Sequence, residues 1–296
     1  MAIPHVIPYQ GSKRKIANQI LEHIKYDLTG RFYEPFAGSA AMTLAAAHNG
    51  LGDGYVIGDK FEPLIELWQR IINDPQGLSR EYEQVWTNQL DDPKQYFLDI
   101  RGQFNQTKDP VQFLYLVARC VKNAIRFNSN GEFNQGADNR RLGMKPEKLS
   151  KAATSASQFL RGRTEARSGD FMDILHDATE NDLVYMDPPW QGTSQKANPR
   201  YAYLLDIDLL VSGMEDLNRR NVPYLLSFDG TCGDKEYGQA LPEHLNLTHV
   251  GINAGRSSQA TLLGRDDVTI ESLYLSPALV EKNRADDTLG QLQLAV

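Results

Sequence analysis

The residues best placed to do chemistry are Asp187, Pro188, Pro189 and Trp190, which follow the apolar run Leu183-Val184-Tyr185-Met186. Consecutive prolines withdraw two backbone donors and set φ near about −65° twice, so a carboxylate and free carbonyls project stiffly beside an aromatic plate. The exocyclic amine of a nucleobase is a poor nucleophile, because its lone pair is delocalised into the ring. Acceptors on its hydrogens, the Asp187 carboxylate and the Pro188 carbonyl, would favour a pyramidal nitrogen aimed at a methyl donor. Trp190 would stack on the base face, worth about 1–3 kcal/mol, and the carboxylate would stabilise charge arriving on nitrogen. Such a base is out of reach inside a duplex and has to be flipped out. The scheme calls for no metal and no covalent enzyme intermediate.

A loop of this kind needs a sheet to hold it. Phe32–Phe36 reads as a strand ending at the turn Ala37-Gly38-Ser39, followed by a helix over Ala40–His48 that Gly50 and Gly52 stop. Tyr55–Gly58 reads as a buried strand closing on Asp59, and Pro63–Ile71 as a helix entered through proline. Further on, Ala166–Gly169 leads to Asp170 and a short helix through Leu175. Leu183–Met186 and Tyr224–Phe228 read as strands around a helix at Leu209–Arg220. Ala260–Leu263 and Val268–Leu275 flank Gly264-Arg265-Asp266-Asp267, the pattern of a hairpin. Alternating strands and helices predict an α/β chain with a mostly parallel, Rossmann-like sheet covered on both faces. Ligands of such sheets sit at the carboxyl ends of the strands, here the Gly38 turn, Asp59, Asp170 and Asp187. The first turn lacks the three-glycine fingerprint of a pyrophosphate site, while Asp59 can accept from ribose hydroxyls. That pair fits a nucleoside donor without a diphosphate, S-adenosylmethionine, better than NAD or FAD.

Composition is that of a globular chain: 41% hydrophobic, 23% charged, net charge −7. It excludes a mainly disordered, collagen-like or coiled-coil protein, and no apolar run is long enough to span a membrane. Two cysteines, Cys120 and Cys232, are too few for a disulfide framework, and His244 and His249 have no partners at metal-ligand spacing. The first residues, Met1 to Pro8, lack a signal-peptide layout, so the expected location is cytoplasmic. Charge is unevenly spread: Arg119 to Arg167 carries eleven basic residues against four acids, leaving −14 for the rest. A basic stretch in an acidic chain is a candidate phosphate-binding surface. It overlaps a mostly helical segment whose Asn128–Asn134 piece turns at Asn130-Gly131. Residues 74–160 therefore read as an inserted domain between halves 1–73 and 161–296.

Several of these motifs together resemble those of the DNA adenine methylase family of S-adenosylmethionine-dependent amino-methyltransferases. Tyr9-Gln10-Gly11-Ser12-Lys13 is similar to the family's N-terminal motif, which implies that Tyr9 and Lys13 contact the cofactor. Glu34-Pro35-Phe36-Ala37-Gly38-Ser39-Ala40 is similar to its cofactor loop, so Phe36, Gly38 and Ser39 join that site; Ala40 stands where the pattern has a second glycine. Asp59 falls where the ribose is held, and Ser168-Gly169-Asp170-Phe171 resembles the strand end that meets the donor's adenine. The segment from Phe113 to Asn134 resembles the target-recognition insert, but Gln135 to Leu142 departs from it. Lys122, Arg126, Asn134, Arg140 and Arg141 are the candidate DNA contacts, since Arg pairs bidentately with guanine and Asn with adenine.

The implied partner is double-stranded DNA, which places the chain at the nucleoid. A monomer suffices, and the sequence leaves open a solitary methylase or the modification partner of a restriction endonuclease that acts on the same site without being bound. Three other readings compete. Cytosine-N4 transfer more often uses Ser-Pro-Pro, RNA or protein-glutamine transfer would not need the basic insert, and an inactive DNA-binding module would not keep every catalytic position filled.

Overall fold

The computed structural model of the chain describes residues 2–189, 205–232, 235–237, 241–256 and 268–294. Its centre is an eight-stranded sheet. The strands are β1 (Arg31–Glu34), β2 (Gly54–Asp59), β3 (Thr164–Ser168), β4 (Leu183–Met186), β5 (Tyr224–Cys232), β6 (Lys235–Tyr237), β7 (Thr248–Arg256) and β8 (Val268–Leu275). Their spatial order is β3-β2-β1-β4-β5-β8-β7, with β6 pairing β5 off this path. The first five run parallel, and β6, β7 and β8 join antiparallel. The chain works outward from β1 through β2 to β3, then returns to β4 on the other side of β1. That reversal between β1 and β4 is where such sheets open a ligand crevice.

Each central strand feeds two cores by the period-two rule. Phe32, Tyr55, Ile57, Leu183 and Tyr185 point into one cluster, while Tyr33, Val56, Val184 and Met186 point into the other. All four residues of β4 are buried, as expected of an interior parallel strand. The first face is covered by α1 (Ala17–Leu21), α2 (Ala41–His48) and α3 (Glu62–Asn73); the second by α8 (Phe171–Ile174) and α9 (Ile207–Arg219). The α3 helix buries Leu64, Leu67, Trp68, Ile71 and Ile72 at helical spacing. A last helix, α10 (Pro277–Leu294), follows β8.

Between β2 and β3 the chain inserts α4 (Pro75–Asn88), α5 (Pro93–Thr107), α6 (Pro110–Arg119) and α7 (Pro146–Leu160). Three of them open with the same device, an Asp N-cap before a Pro at the first helical position: Asp74 accepts from Gly77 N, Asp92 from Gln95 N, and Asp109 from Val111 N and Gln112 N. The insert does not carry a separate core. One apolar cluster runs from Phe32 and Tyr55 through Trp68 into Phe97, Phe104 and Phe113, and Ser157 Oγ donates to Ile72 O at 2.6 Å, tying α7 to the end of α3.

Among the described residues the expected strands and helices of the sheet domain are present, with ends that coincide or shift by at most four residues. The expected hairpin differs. Both edges of β8 are taken, by β5 and β7, so its ladder partner lies upstream of Ala260–Leu263, which fall outside the described residues. Among the described residues no helix is long and apolar enough to cross a membrane.

Candidate active site

The loop after β1 is built around a buried acid. The Glu34 carboxylate accepts from Thr43 N at 2.7 Å, Thr43 Oγ1 at 2.5 Å and Met42 N at 3.4 Å, capping the start of α2. Burial pushes its carboxyl up to about 7 against those hydrogen bonds. The folded state therefore binds this proton more tightly than the unfolded chain. Its stabilising effect is present below about pH 4.5 and is lost as pH rises to about 7. Glu34→Gln keeps an acceptor for Thr43 and removes the titration. Its urea midpoint should vary less than the wild type's between pH 5 and 7.5, by the equivalent of roughly 2–3 kcal/mol. An unchanged difference between the two pH values would contradict this.

The same loop turns sharply. Gly38 sits at φ +49°, and a Cβ there would come within 3.2 Å of the Tyr9 ring, so the N-terminal motif lies directly against the turn. Ser39 and Ser12 join through their hydroxyls at 2.8 Å, and Trp68 Nε1 donates to Gly38 O at 3.0 Å. Ala40 also takes a left-handed conformation, φ 45° and ψ 42°. That is the physical reason a glycine suits this position, and alanine bears a strain of about 1–2 kcal/mol.

Asp59, at the end of β2, accepts from Gly38 N at 3.2 Å and Phe61 N at 3.0 Å. Burial raises its carboxyl to about 6 despite these donors. Asp170 caps α8 through Met172 N at 3.3 Å and stands 3.6 Å from Lys60 Nζ. The Phe36 ring leans on Phe171, centroids 5.2 Å apart. The cluster thus brings the aromatic rings of Tyr9 and Phe36 to the same strand ends as the carboxylates of Asp59 and Asp170.

Asp187 closes the cluster from β4. Its Oδ1 lies 3.2 Å from Lys13 Nζ, and the same ammonium is 3.1 Å from Glu271 Oε2 on β8. Burial disfavours the Lys13 charge, but the two carboxylates outweigh it and hold the ammonium protonated. Removal from water likewise raises the Asp187 carboxyl, with Glu271 adding to the shift and Lys13 opposing it. Lys13 was expected at the cofactor; the structure engages its ammonium with Asp187 and Glu271. Pro188 is buried and Pro189 half-buried. Trp190 lies outside the described residues.

The basic residues of the Arg119–Arg167 run divide. Arg119 is only 3% exposed, bonded to Gln89 Oε1 and Asp138 O, so it does not belong to a DNA-facing surface. Arg167 is engaged by Asp177 and Glu165. Both correct the reading of the whole run as surface charge. Lys122 is exposed, and Arg126 is half-buried. The Arg126 carbonyl accepts from the backbone N–H of exposed Asn134 at 2.9 Å across the Asn128–Gly131 turn. Arg140 and Arg141 share buried Asp138, at 3.2 and 2.9 Å, with the Arg140 side chain 87% exposed. The N-terminal motif touches this region directly, through Gln10 N donating to Asn123 O at 3.1 Å. His244 pairs with Glu215 at 2.7 Å, and among the described residues no group of three His, Cys, Asp or Glu side chains could hold a metal.

Sequence reasoning missed Glu34, Trp68 and Glu271. Glu34 stood inside the quoted loop motif, where an acid four residues before Gly38 could have signalled a cap. Glu271 carried no local signal.

A model of the D12 class N6 adenine-specific DNA methyltransferases matches residues 9–250. The Retron Ec67 DNA adenine methylase of Escherichia coli is 24% identical over 86% of this chain and 88% of its own length. The DNA adenine methylase of Salmonella typhimurium is 25% identical over 84% of this chain and 88% of its own. The type II methyltransferase M1.LlaDCHI of Lactococcus lactis subsp. cremoris is 26% identical over 63% of this chain and 66% of its own. A match spanning most of the chain, laid over a sheet whose strand ends carry these motifs, shows that the chain belongs to the D12 class of N6 adenine-specific DNA methyltransferases.

Proposed function

We propose that the cluster at the ends of β1, β2, β3 and β4 is the methyl-transfer site of this DNA adenine methyltransferase. The donor would be held by Tyr9, Phe36, Gly38, Ser39, Asp59 and Asp170, and the target adenine by the Asp187 loop. S-adenosylmethionine supplies an electrophilic methyl carbon on a sulfonium sulfur. The Asp187 carboxylate and the Pro188 carbonyl accept the two hydrogens of the extruded adenine's N6 and hold its lone pair toward that carbon. As the new C–N bond forms and the methyl C–S bond breaks, its electron pair staying on the departing thioether sulfur, Asp187 would stabilise the charge on N6 and stand beside the proton that N6 must then release. Its carboxyl, raised by burial, is the better acceptor for that proton. Trp190 is assigned to stacking on the base.

The observation that carries this reading is the placement of Asp187 at the switch point between β1 and β4, reached by the same N-terminal segment whose Tyr9 and Ser12 abut Gly38 and Ser39. Incubation of duplex DNA with methyl-tritiated S-adenosylmethionine, then nucleoside analysis, tests it. Label in N6-methyladenine is expected. Label in N4-methylcytosine, in RNA in preference to duplex, or in no nucleoside would overturn it.

In the insert, residues 74–160, DNA contact is assigned to Lys122, Arg126, Asn134, Arg140 and Arg141. Asp138 already takes Nε and Nη2 of Arg140 and Nε of Arg141. The Arg140 fork is therefore occupied and Arg141 is held through its Nε, which favours phosphate contacts over bidentate guanine readout. Arg140→Ala and Arg141→Ala should each reduce the slope of log K against log salt by about 0.9 while weakening binding evenly across sequences. Lost discrimination at one base pair with an unchanged slope would contradict it. The name of the Lactococcus relative supports a role in guarding a site against an endonuclease that reads it.

A further inference from the structure

One charged side chain of the cluster has no task in this scheme. Glu271 lies beyond the span matched by the family, residues 9–250, on the antiparallel strand β8. It faces Gly230 of β5 and Ile252 of β7. Between Ser227↔Leu273 and Gly230↔Glu271 the register slips by one residue, a bulge in β5 beside the site. Bulges of this kind increase twist and re-aim neighbouring side chains. The outcome is a carboxylate 3.1 Å from the ammonium that itself sits 3.2 Å from Asp187.

We infer that Glu271 is a positioning residue for methyl transfer: it shares the Lys13 ammonium, prevents it from closing on Asp187 alone, and so leaves the Asp187 carboxylate available to accept from N6. An isolated Lys13–Asp187 pair would be neutral and would tie up the carboxylate where the amine must dock. The trio of two carboxylates and one ammonium keeps a net charge of −1, facing a nitrogen that becomes positive in the transition state. Among the described residues, the other titratable groups near Asp187 cannot substitute. Glu34 on β1 is committed to Thr43 and Met42, and the Tyr185 hydroxyl on β4 is paired with Ser227 Oγ at 2.8 Å. This inference rests on the role proposed for Asp187.

The test is the single-turnover methylation rate of Glu271→Gln and Glu271→Asp across pH, with DNA and S-adenosylmethionine saturating, alongside both dissociation constants. For Glu271→Gln the rate should fall on the order of ten-fold at neutral pH, the effect of one charge at a partly buried site. Both dissociation constants should stay within about two-fold. The acid limb should move to lower pH, because loss of a neighbouring negative charge eases ionisation of Asp187, and Glu271→Asp should recover part of the rate. A Glu271→Gln enzyme with wild-type rate and pH profile would overturn the inference, as would a slower enzyme whose acid limb has not moved. Asp187→Asn in the same assay separates the two claims. If it is inactive while Glu271→Gln behaves as wild type, only the role of Glu271 fails; if it is active, the reading of Asp187 fails with it.

Discussion

Asp187→Ala should lower the single-turnover rate by on the order of 10²–10³-fold or more, the scale of removing one preorganised transition-state contact, while duplex DNA and S-adenosylmethionine still bind. The argument is geometric. The proposed phosphate contacts lie on the insert, and the proposed donor contacts lie on Tyr9, Gly38 and Asp59, none of which depends on the Asp187 side chain for its position. Lys13 keeps Glu271 at 3.1 Å after the substitution, so no buried ammonium is orphaned. The raised carboxyl of Asp187 means that its charge is held at a cost in the folded protein, so the variant should melt at or slightly above the wild-type temperature. Retained transfer would remove Asp187 from the chemistry. Lost DNA binding would show that the side chain holds the fold or the DNA instead.

The second large effect falls on stability. Arg119→Ala should cost about 3 kcal/mol or more, because it strips a charged donor from a buried network and leaves a cavity. Arg119 at the end of α6 donates to Gln89 Oε1 at 3.1 Å and to Asp138 O. Tyr115 OH donates to the same Gln89 oxygen at 3.1 Å, and Gln89 Nε2 donates to Leu142 O at 3.1 Å. One side chain therefore fastens α4, α6 and the segment carrying Arg140 and Arg141. The urea midpoint should fall with little change in slope, and the 138–142 amides should exchange faster than in the wild type. A loss below about 1 kcal/mol would mean that the network is dispensable.

What the sequence disclosed was local. Leu183–Met186 followed by Asp-Pro-Pro could be read directly, because an all-apolar four-residue strand has one role in a parallel sheet and two prolines end it. The Gly38 turn and Asp59 were legible for the same reason: they are the ends of adjacent strands and touch, Gly38 N to Asp59 at 3.2 Å. Asp74-Pro75, Asp92-Pro93 and Asp109-Pro110 carried start signals that a reading of the segment as merely helical left unused. Burial of a basic residue is a different matter. Nothing adjacent in sequence distinguishes Arg119, buried against Gln89, from Arg140, which is 87% exposed. Glu271 was illegible in principle, since its meeting with Lys13 depends on β8 pairing with β5 across a bulge.

The claim on which the rest depends is that Asp187 grips the amine of an extruded adenine. A structure of the enzyme with duplex DNA and an unreactive donor analogue measures this directly, as the distance from adenine N6 to the nearer Asp187 carboxylate oxygen. The account predicts about 2.7–3.2 Å, a hydrogen bond, with N6 facing the donor. A carboxylate still held only by Lys13 and Glu271, with N6 beyond about 4 Å and bonded elsewhere, would contradict it.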